Sequence, residues 1–399
     1  MGGTRAGKGQ TLENRFTVLQ IIPRMRAGGA ELGCLQVAEA LVAAGHRALV
    51  ASEGGRMVDA LEAAGATHIT LPLASKNPFV MWQNSKRLAD IIRSERVDII
   101  HARSRAPAWS ALRAARVTGI RFVTTYHSEY SERGRIKRFY NGVMARADRV
   151  VSVSDNMRGL IQSRYGLPLE RIPVIHRAFD PARFDPAAVT PERLDAIRAA
   201  IGVRPDDLIV LLPGRITRRK AQAHLIEAAG ILKERGIENF VCVFAGEVEK
   251  QDYMAELDRR TRALGLTERV RFPGNVGDMA ALYSLAAVSL NISEFEGLPR
   301  VALEAQAMGV PVIVSDTGPG REVALTAPDV SPEAATGLRV PFAEPPALAE
   351  ALAELLGWPE PQRAAMGARA AAHVRSRYTL ERLTRGYLAV YQEVLGRKG

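Results

Sequence analysis

The chain has 399 residues, with 54 Lys+Arg against 43 Asp+Glu and a net charge of +11. That length suggests two domains, each with its own core, and 47% hydrophobic with 24% charged residues excludes a disordered chain. The two cysteines, Cys34 and Cys242, exclude a disulfide framework or a cysteine-rich zinc site, and no apolar run reaches the ~18–20 residues of a membrane span.

The opening residues, MGGTRAGKGQTLENR, are polar and lack the apolar core of a secretory signal, so a cytoplasmic protein is expected. FTVLQII (Phe16–Ile22) reads as a buried strand, and Ala30–Ala44 follows with helical spacing. RALVA (Arg47–Ala51), a helix near Met57–Ala64, HITLPL, a helix near Met81–Ser94 and VDIIHA (Val97–Ala102) continue the alternation. Then come a helix over Ala106–Val117 and the strands FVTTY (Phe122–Tyr126), RVVSVS (Arg149–Ser154) and IPVI (Ile172–Ile175). Apolar strands separated by helices indicate a parallel sheet covered on both faces.

Phe179–Pro205 breaks this rhythm with prolines and charges and reads as an inter-domain connection. The pattern then restarts with LIVLLP (Leu208–Pro213), a helix over Ala221–Glu234, FVCVFAG (Phe240–Gly246) and a helix over Tyr253–Leu264. RVRFPG, a helix over Met279–Leu285, VSLNIS, a helix over Pro299–Met308 and VPVIVS (Val310–Ser315) complete it. Two such halves predict an α/β chain of two Rossmann-like domains, with ligands beyond the C-terminal strand ends.

Three segments could carry chemistry. In Glu294–Gly309, Gly297 allows a tight turn and Pro299 suits the first turn of a helix. Glu296 then lies before that helix and Glu304 within it, placed to accept hydrogen bonds from sugar hydroxyls. Alone, the same acids read as the solvated face of a capped helix. Gly214 through Lys220 follows a strand, and Arg215 and Lys220 can clamp a diphosphate, as a planar fork and a point charge. The alternative is a solvated basic helix start; Arg218 and Arg219 are expected to face solvent. Gly28 and Gly29 lie at the first strand–helix junction and let backbone approach a ligand. The G-x-G-x-x-G fingerprint is absent, which disfavours a nicotinamide cofactor.

His127 follows the strand FVTTY, as a structural residue or a ligand contact. His101 has the same placement with a weaker claim. No D-x-D, H-E-x-x-H or His/Cys cluster is present, so no metal site and no cofactor are expected. A bound diphosphate would be neutralised by protein cations and helix N-termini.

In order, GGAE, TYH, GRxxxxK, VRFPGNVGDMAALYSLA, EGLPRVALEAQAMGVPVIVSDTGPGREV and TGLRVP resemble the retaining GT4-type glycosyltransferases of the GT-B fold. The resemblance spans roughly Thr17 to Gln392 and is densest from Leu208 to Pro341. It implies two Rossmann-like domains facing across a cleft: an acceptor-side domain over 1–182 and a nucleotide-sugar donor domain over 183–377. The helix within 378–399 would pack back on the first domain. By position, Arg215 and Lys220 would hold the donor diphosphate and stabilise the leaving group, with Gly214 in their loop. Glu296 and the backbone of Gly297 and Leu298 would contact the donor sugar, and Glu304 the ribose. Asn275 and Val276 would lie beside the base, Gly28 and Gly29 near the phosphates and sugar, and His127 near the reacting carbon. The reaction implied is metal-independent front-face substitution, the leaving phosphate helping to deprotonate the acceptor hydroxyl.

The usual V-I-P-N-G-[IV]-D hinge reads VIHRAFD here, with His176, Arg177 and Ala178 in place of Pro, Asn and Gly. Arg321 stands where Pro is common. On the acceptor side, Arg103 and Arg105 follow the fourth strand, and Arg133, Arg135, Lys137 and Arg138 precede apolar Phe139, Val143 and Met144. The last group reads either as a basic amphipathic helix on the cytoplasmic face of an anionic inner membrane or as a solvated helix with a buried face. A glycan or lipid-linked acceptor, as in lipopolysaccharide or other cell-envelope glycan synthesis, fits the first. No nucleic-acid module appears. A nucleotide-sugar epimerase or a non-catalytic nucleotide-sugar binder of the same fold stays open.

Overall fold

The computed structural model describes residues 15–26, 28–130 and 134–396. They form two compact units: one of residues up to Val153, Met157–Ile175 and from Leu383 on, the other of Ser154–Asn156 and His176–Arg382.

The first unit holds strands β1 (Thr17–Ile21), β2 (Arg47–Ser52), β3 (Thr67–Thr70), β4 (Ile99–Ala102), β5 (Arg121–Tyr126) and β6 (Arg149–Ser152). They form one sheet in the order β3-β2-β1-β4-β5-β6, every neighbouring pair parallel. All five residues of β1 are buried, as expected of a strand covered on both faces. IPVI is not a strand; Val174 makes only an isolated bridge with Ser152. Prolines at 168 and 173 supply no N–H for a longer ladder.

The second unit holds β7 (Leu208–Leu211), β8 (Phe240–Ala245), β9 (Val270–Gly274), β10 (Ala286–Asn291), β11 (Val312–Ser315) and β12 (Gly337–Val340). Their order is β12-β11-β10-β7-β8-β9, again all parallel. Counted within each unit, the two sheets share one topology, the doubly wound order 3-2-1-4-5-6. The apparent connection at Phe179–Pro205 contains a helix, Pro191–Ile201, which starts at a proline and stops at Gly202 in the left-handed region.

In this topology the connections leave in opposite directions between the first and fourth strands, opening a crevice at the C-terminal strand ends. In the first unit the crevice lies between β1 and β4, where Ile21 pairs with Ala102. In the second it lies between β7 and β10, where Leu211 pairs with Ser289. From Leu383 the chain packs on the first unit, burying Leu383, Tyr387, Val390, Tyr391 and Val394 of the helix Leu380–Val394.

Candidate active site

The second unit's crevice is bordered by the loop after β7 and the loop after β10. Gly214 has φ of +129°, a conformation that L side chains rarely adopt. A Cβ there would lie 3.4 Å from Lys220 Cε and 3.7 Å from Nζ, so the bare backbone leaves room beside the ammonium. Gly246, after β8, packs closer still: a Cβ would sit 2.1 Å from Gly214 O. Buried Gln222 donates from Nε2 to Arg215 O at 3.0 Å and fixes the loop's far end.

Lys220 Nζ lies 2.5 Å from Glu296 Oε1, and each side chain is 15% exposed. Burial opposes ionisation of Glu296, but Lys220, then Arg177 and Arg219, outweigh it and hold its carboxyl below the ordinary range. The other motif cation, Arg215, is exposed and turned to Glu249, Nη1 to Oε2 at 2.9 Å. The loop carrying Glu296 is held at both ends: Glu294 N–H donates to Arg219 O at 2.9 Å, and Arg177 Nη1 donates to Leu298 O at 3.0 Å. Gly297 and Leu298 are buried.

The following helix runs over Arg300–Ala307, one residue shorter at each end than expected. Pro299 is its N-cap, because ψ of 103° keeps that residue extended. Glu304, inside the helix, is raised above the usual carboxyl range by burial, opposed by Arg300 and Arg183. Tyr283 Oη lies 3.3 Å from Glu304 Oε2, and Arg300 Nε 3.8 Å from Oε1. Exposed Asn275 and half-buried Val276 follow Gly274 at the end of β9.

In the first unit Gly28 is the N-cap of the helix Gly29–Ala43. His127, 9% exposed, lies just beyond β5. A Cβ at Gly33 would sit 3.7 Å from Arg103 Nη1 and 3.9 Å from His127 Cε1, so both side chains reach that helix at its bare Gly33. Arg103 is only 2% exposed. Its Nε donates to Gln20 Oε1 at 2.6 Å and its guanidinium lies 5.5 Å from the Tyr387 ring. Arg105 is likewise engaged, by Asn141 Oδ1 at 2.8 Å and by the face of Tyr130 at 4.1 Å. Neither is a free surface arm.

His101 is a core residue. Its Nδ1 contacts Tyr391 Oη at 2.7 Å and its Nε2 Thr125 Oγ1 at 2.8 Å. Burial, then Arg103, lowers its pKa well below the usual value. Arg135, Lys137 and Arg138 are exposed, while Val143 and Met144 are core; Arg133 lies outside the described residues.

Sequence reasoning placed Arg218 and Arg219 in solvent. Arg218 is exposed and pairs with Glu256 at 2.5 Å, but Arg219 is half-buried and its charge acts on Glu296. Glu249 and Gly246 were missed; an acid and a glycine just past a strand end were the available signal. A group the spacing hid is Asp155, His176 and Glu322, whose ligand atoms lie within 4.8 Å of one another. Glu322 is already engaged, by His176 Nε2 at 2.6 Å and by the amides of Asp155 and Asn156 at 2.8 and 3.2 Å. The cluster therefore has a complete explanation as a hydrogen-bonded His–carboxylate pair.

Residues 27–183 match the family described as Glycosyltransferase Family 4, and residues 195–373 match Glycosyl transferases group 1. A crystal structure of a glycosyltransferase from Rickettsia africae ESF-5 is 31% identical and superposes with a TM-score of 0.85, covering 96% of this chain and 100% of that one. The chain belongs to glycosyltransferase family 4. Its fold is GT-B. This glycosyltransferase is also similar to the D-inositol 3-phosphate glycosyltransferase of Salinispora tropica, 32% identical over 264 residues, which are 63% of this chain and 52% of that protein. The chain thus spans about half the length of that relative. A structure of Anabaena HepE in complex with UDP-glucose shares the fold at 21% identity, with a TM-score of 0.80, covering 96% of this chain and 100% of that one.

Proposed function

We propose that this glycosyltransferase moves a sugar from a nucleoside diphosphate sugar to an acceptor hydroxyl, with retention and without a metal ion. The observation that carries this reading is the Lys220–Glu296 pair in the β7/β10 crevice. It sets a cation for phosphate beside a carboxylate for sugar hydroxyls. Arg177 and Arg219 add positive charge at the same carboxylate. HepE, on the same fold, was solved with UDP-glucose.

In this reading Lys220 and Arg215 turn from their carboxylates to the donor diphosphate. As the bond from the anomeric carbon to the phosphate oxygen breaks, both electrons go to that oxygen. Cations fixed in advance stabilise that charge. The acceptor oxygen bonds to the same face of the carbon, and its proton passes to the departing phosphate. Glu296, released from Lys220, accepts hydrogen bonds from the sugar. Glu304 takes the ribose, Gly214, Gly297 and Leu298 supply backbone, and Asn275 with Val276 flank the base. Gly28, Gly29 and His127 act in the first unit, near the donor phosphates, sugar and reacting carbon, and the acceptor is a glycan or a lipid-linked sugar.

The test is a thermal-shift panel of nucleoside diphosphates and their sugars, followed by donor turnover. A ligand that binds only the folded state raises the melting temperature. One nucleoside diphosphate should raise it, and Lys220→Ala should abolish the rise. No rise with any member, or unchanged turnover in Lys220→Ala and Glu296→Ala, overturns the reading; epimerised donor without transfer favours an epimerase.

A further inference from the structure

Large apolar side chains are exposed on two nearby helices of the first unit. Ile136 and Phe139, on the helix Arg135–Asn141, are 86% and 61% exposed. Phe79 and Trp82, on the first turns of the helix Pro78–Ser94, are 62% and 39% exposed and stack with ring centroids 6.0 Å apart. Both helices bracket the helix Arg105–Thr118. Ser110 donates to Met81 O at 2.9 Å on one side, and the Trp109 ring lies 5.3 Å from Phe139 on the other.

Cations surround these side chains. Arg135, Lys137 and Arg138 alternate with Ile136 and Phe139 in sequence, and all are exposed. Lys86 Nζ lies 3.7 Å from the Trp82 centroid, and Arg146 sits 5.0 Å from Phe139 and 5.2 Å from Trp109. Beside Phe139 runs a groove of about 720 Å³ lined by Arg135, Arg138, Arg146, Arg164 and Tyr165 among others. Among the described residues no helix is long and apolar enough to cross a membrane.

Exposed aromatics ringed by Lys and Arg match an interface that is apolar in its acyl region and negative at its headgroups. A protein partner would have to present an apolar patch with an acidic rim shaped to two separate helices, whereas a bilayer surface offers both layers without shape complementarity. We infer that this face docks on the surface of an anionic bilayer, the four apolar side chains entering the headgroup–acyl boundary and the cations holding lipid phosphates. Neither the donor chemistry nor the identity of the acceptor enters this inference.

The experiment is co-sedimentation of the full chain with vesicles, without donor or acceptor. Phosphatidylcholine vesicles containing phosphatidylglycerol should bind the protein, and pure phosphatidylcholine vesicles should bind it weakly. Arg135→Glu/Lys137→Glu/Arg138→Glu should lose at least about tenfold in affinity, since each surface cation contributes a factor of several near anionic lipid. Ile136→Ser/Phe139→Ser and Phe79→Ser/Trp82→Ser should each lose binding while keeping the wild-type melting temperature. Equal binding to both vesicle types, no binding to either, or wild-type binding by either serine variant overturns the proposal.

Discussion

Lys220 and Glu296 form an ion pair at 2.5 Å, and both side chains are mostly buried. Such a pair is costly to break from one side, because the surviving charge stays buried without compensation. Lys220→Met should therefore destabilise the protein by on the order of 3 kcal/mol and abolish turnover. Glu296→Gln should cost at least as much, since it also removes the carboxylate on which the charges of Arg177 and Arg219 act. The double variant should be more stable than the sum of the singles predicts. Urea unfolding of all four forms measures the coupling, and strict additivity would sink it.

The two glutamates of this motif respond to pH in opposite directions. Glu296 has a lowered pKa, so its contribution is present above the unfolded value of about 4.3 and is lost as pH falls through the folded value. Glu304 has a raised pKa, so its contribution is complete below about 4.3 and is lost as pH rises through the folded value. Glu304→Gln should consequently stabilise the protein at neutral pH while weakening donor binding. Unfolding curves at pH 7 and near the unfolded pKa test the sign; a destabilised Glu304→Gln at pH 7 would contradict it.

Arg215 is held by Glu249 across a largely solvated contact, each side chain about half exposed. Exposed pairs of this kind contribute at most about 1 kcal/mol. Glu249→Gln should free Arg215 and tighten nucleoside diphosphate binding by roughly two- to fivefold, the range that 1 kcal/mol permits. Calorimetric titration at low and high salt measures this, with the gain shrinking as salt rises.

Gly246 tolerates no side chain, because its neighbour at 2.1 Å is the Gly214 carbonyl rather than a flexible group. Gly246→Ala should push the β7 loop outward at a cost of about 1–3 kcal/mol and reduce donor affinity, the opposite of the change expected for Glu249→Gln. An Ala variant with unchanged binding would show that the loop adjusts.

Both cysteines are buried, and burial raises the thiol pKa to about 11 for Cys34 and about 12 for Cys242. Thiolate is the reactive form, so maleimide should leave the native enzyme active and label it only after unfolding. Rapid labelling at neutral pH would refute this.

Much of the architecture was legible because buried parallel strands leave unbroken Val/Ile-rich runs, such as TVLQI and FVCVFA. The failures were local. IPVI has strand composition but no room for a ladder beside Pro173. The helix Pro191–Ile201 was hidden because its first residue, Pro191, continues a run of prolines at 181 and 186. At the site, motif spacing singled out Glu296 and Lys220 but not their contact, which depends on β7 lying beside β10. Arg219 was misjudged because a charge run in sequence does not show which member turns inward. Arg103 and Arg105 looked like ligand arms, yet their partners come from segments distant in sequence: Gln20, Tyr387, Asn141 and Tyr130.

The tyrosines of the last helix have a consequence for how the chain is made. Tyr391 and Tyr387 are buried beside His101 and Thr125, which lie on the central strands of the first unit. A ribosome therefore finishes β1–β6 long before the segment that covers them exists. At about 5–20 residues per second, the stretch from Ile175 to Leu383 leaves that face waiting roughly 10–40 s. The second unit has no such debt and can complete its core first. During synthesis the nascent amino-terminal sheet is the part in need of a chaperone, and release of a chain stopped before Leu383 should yield a folded second unit tethered to an unfinished first one.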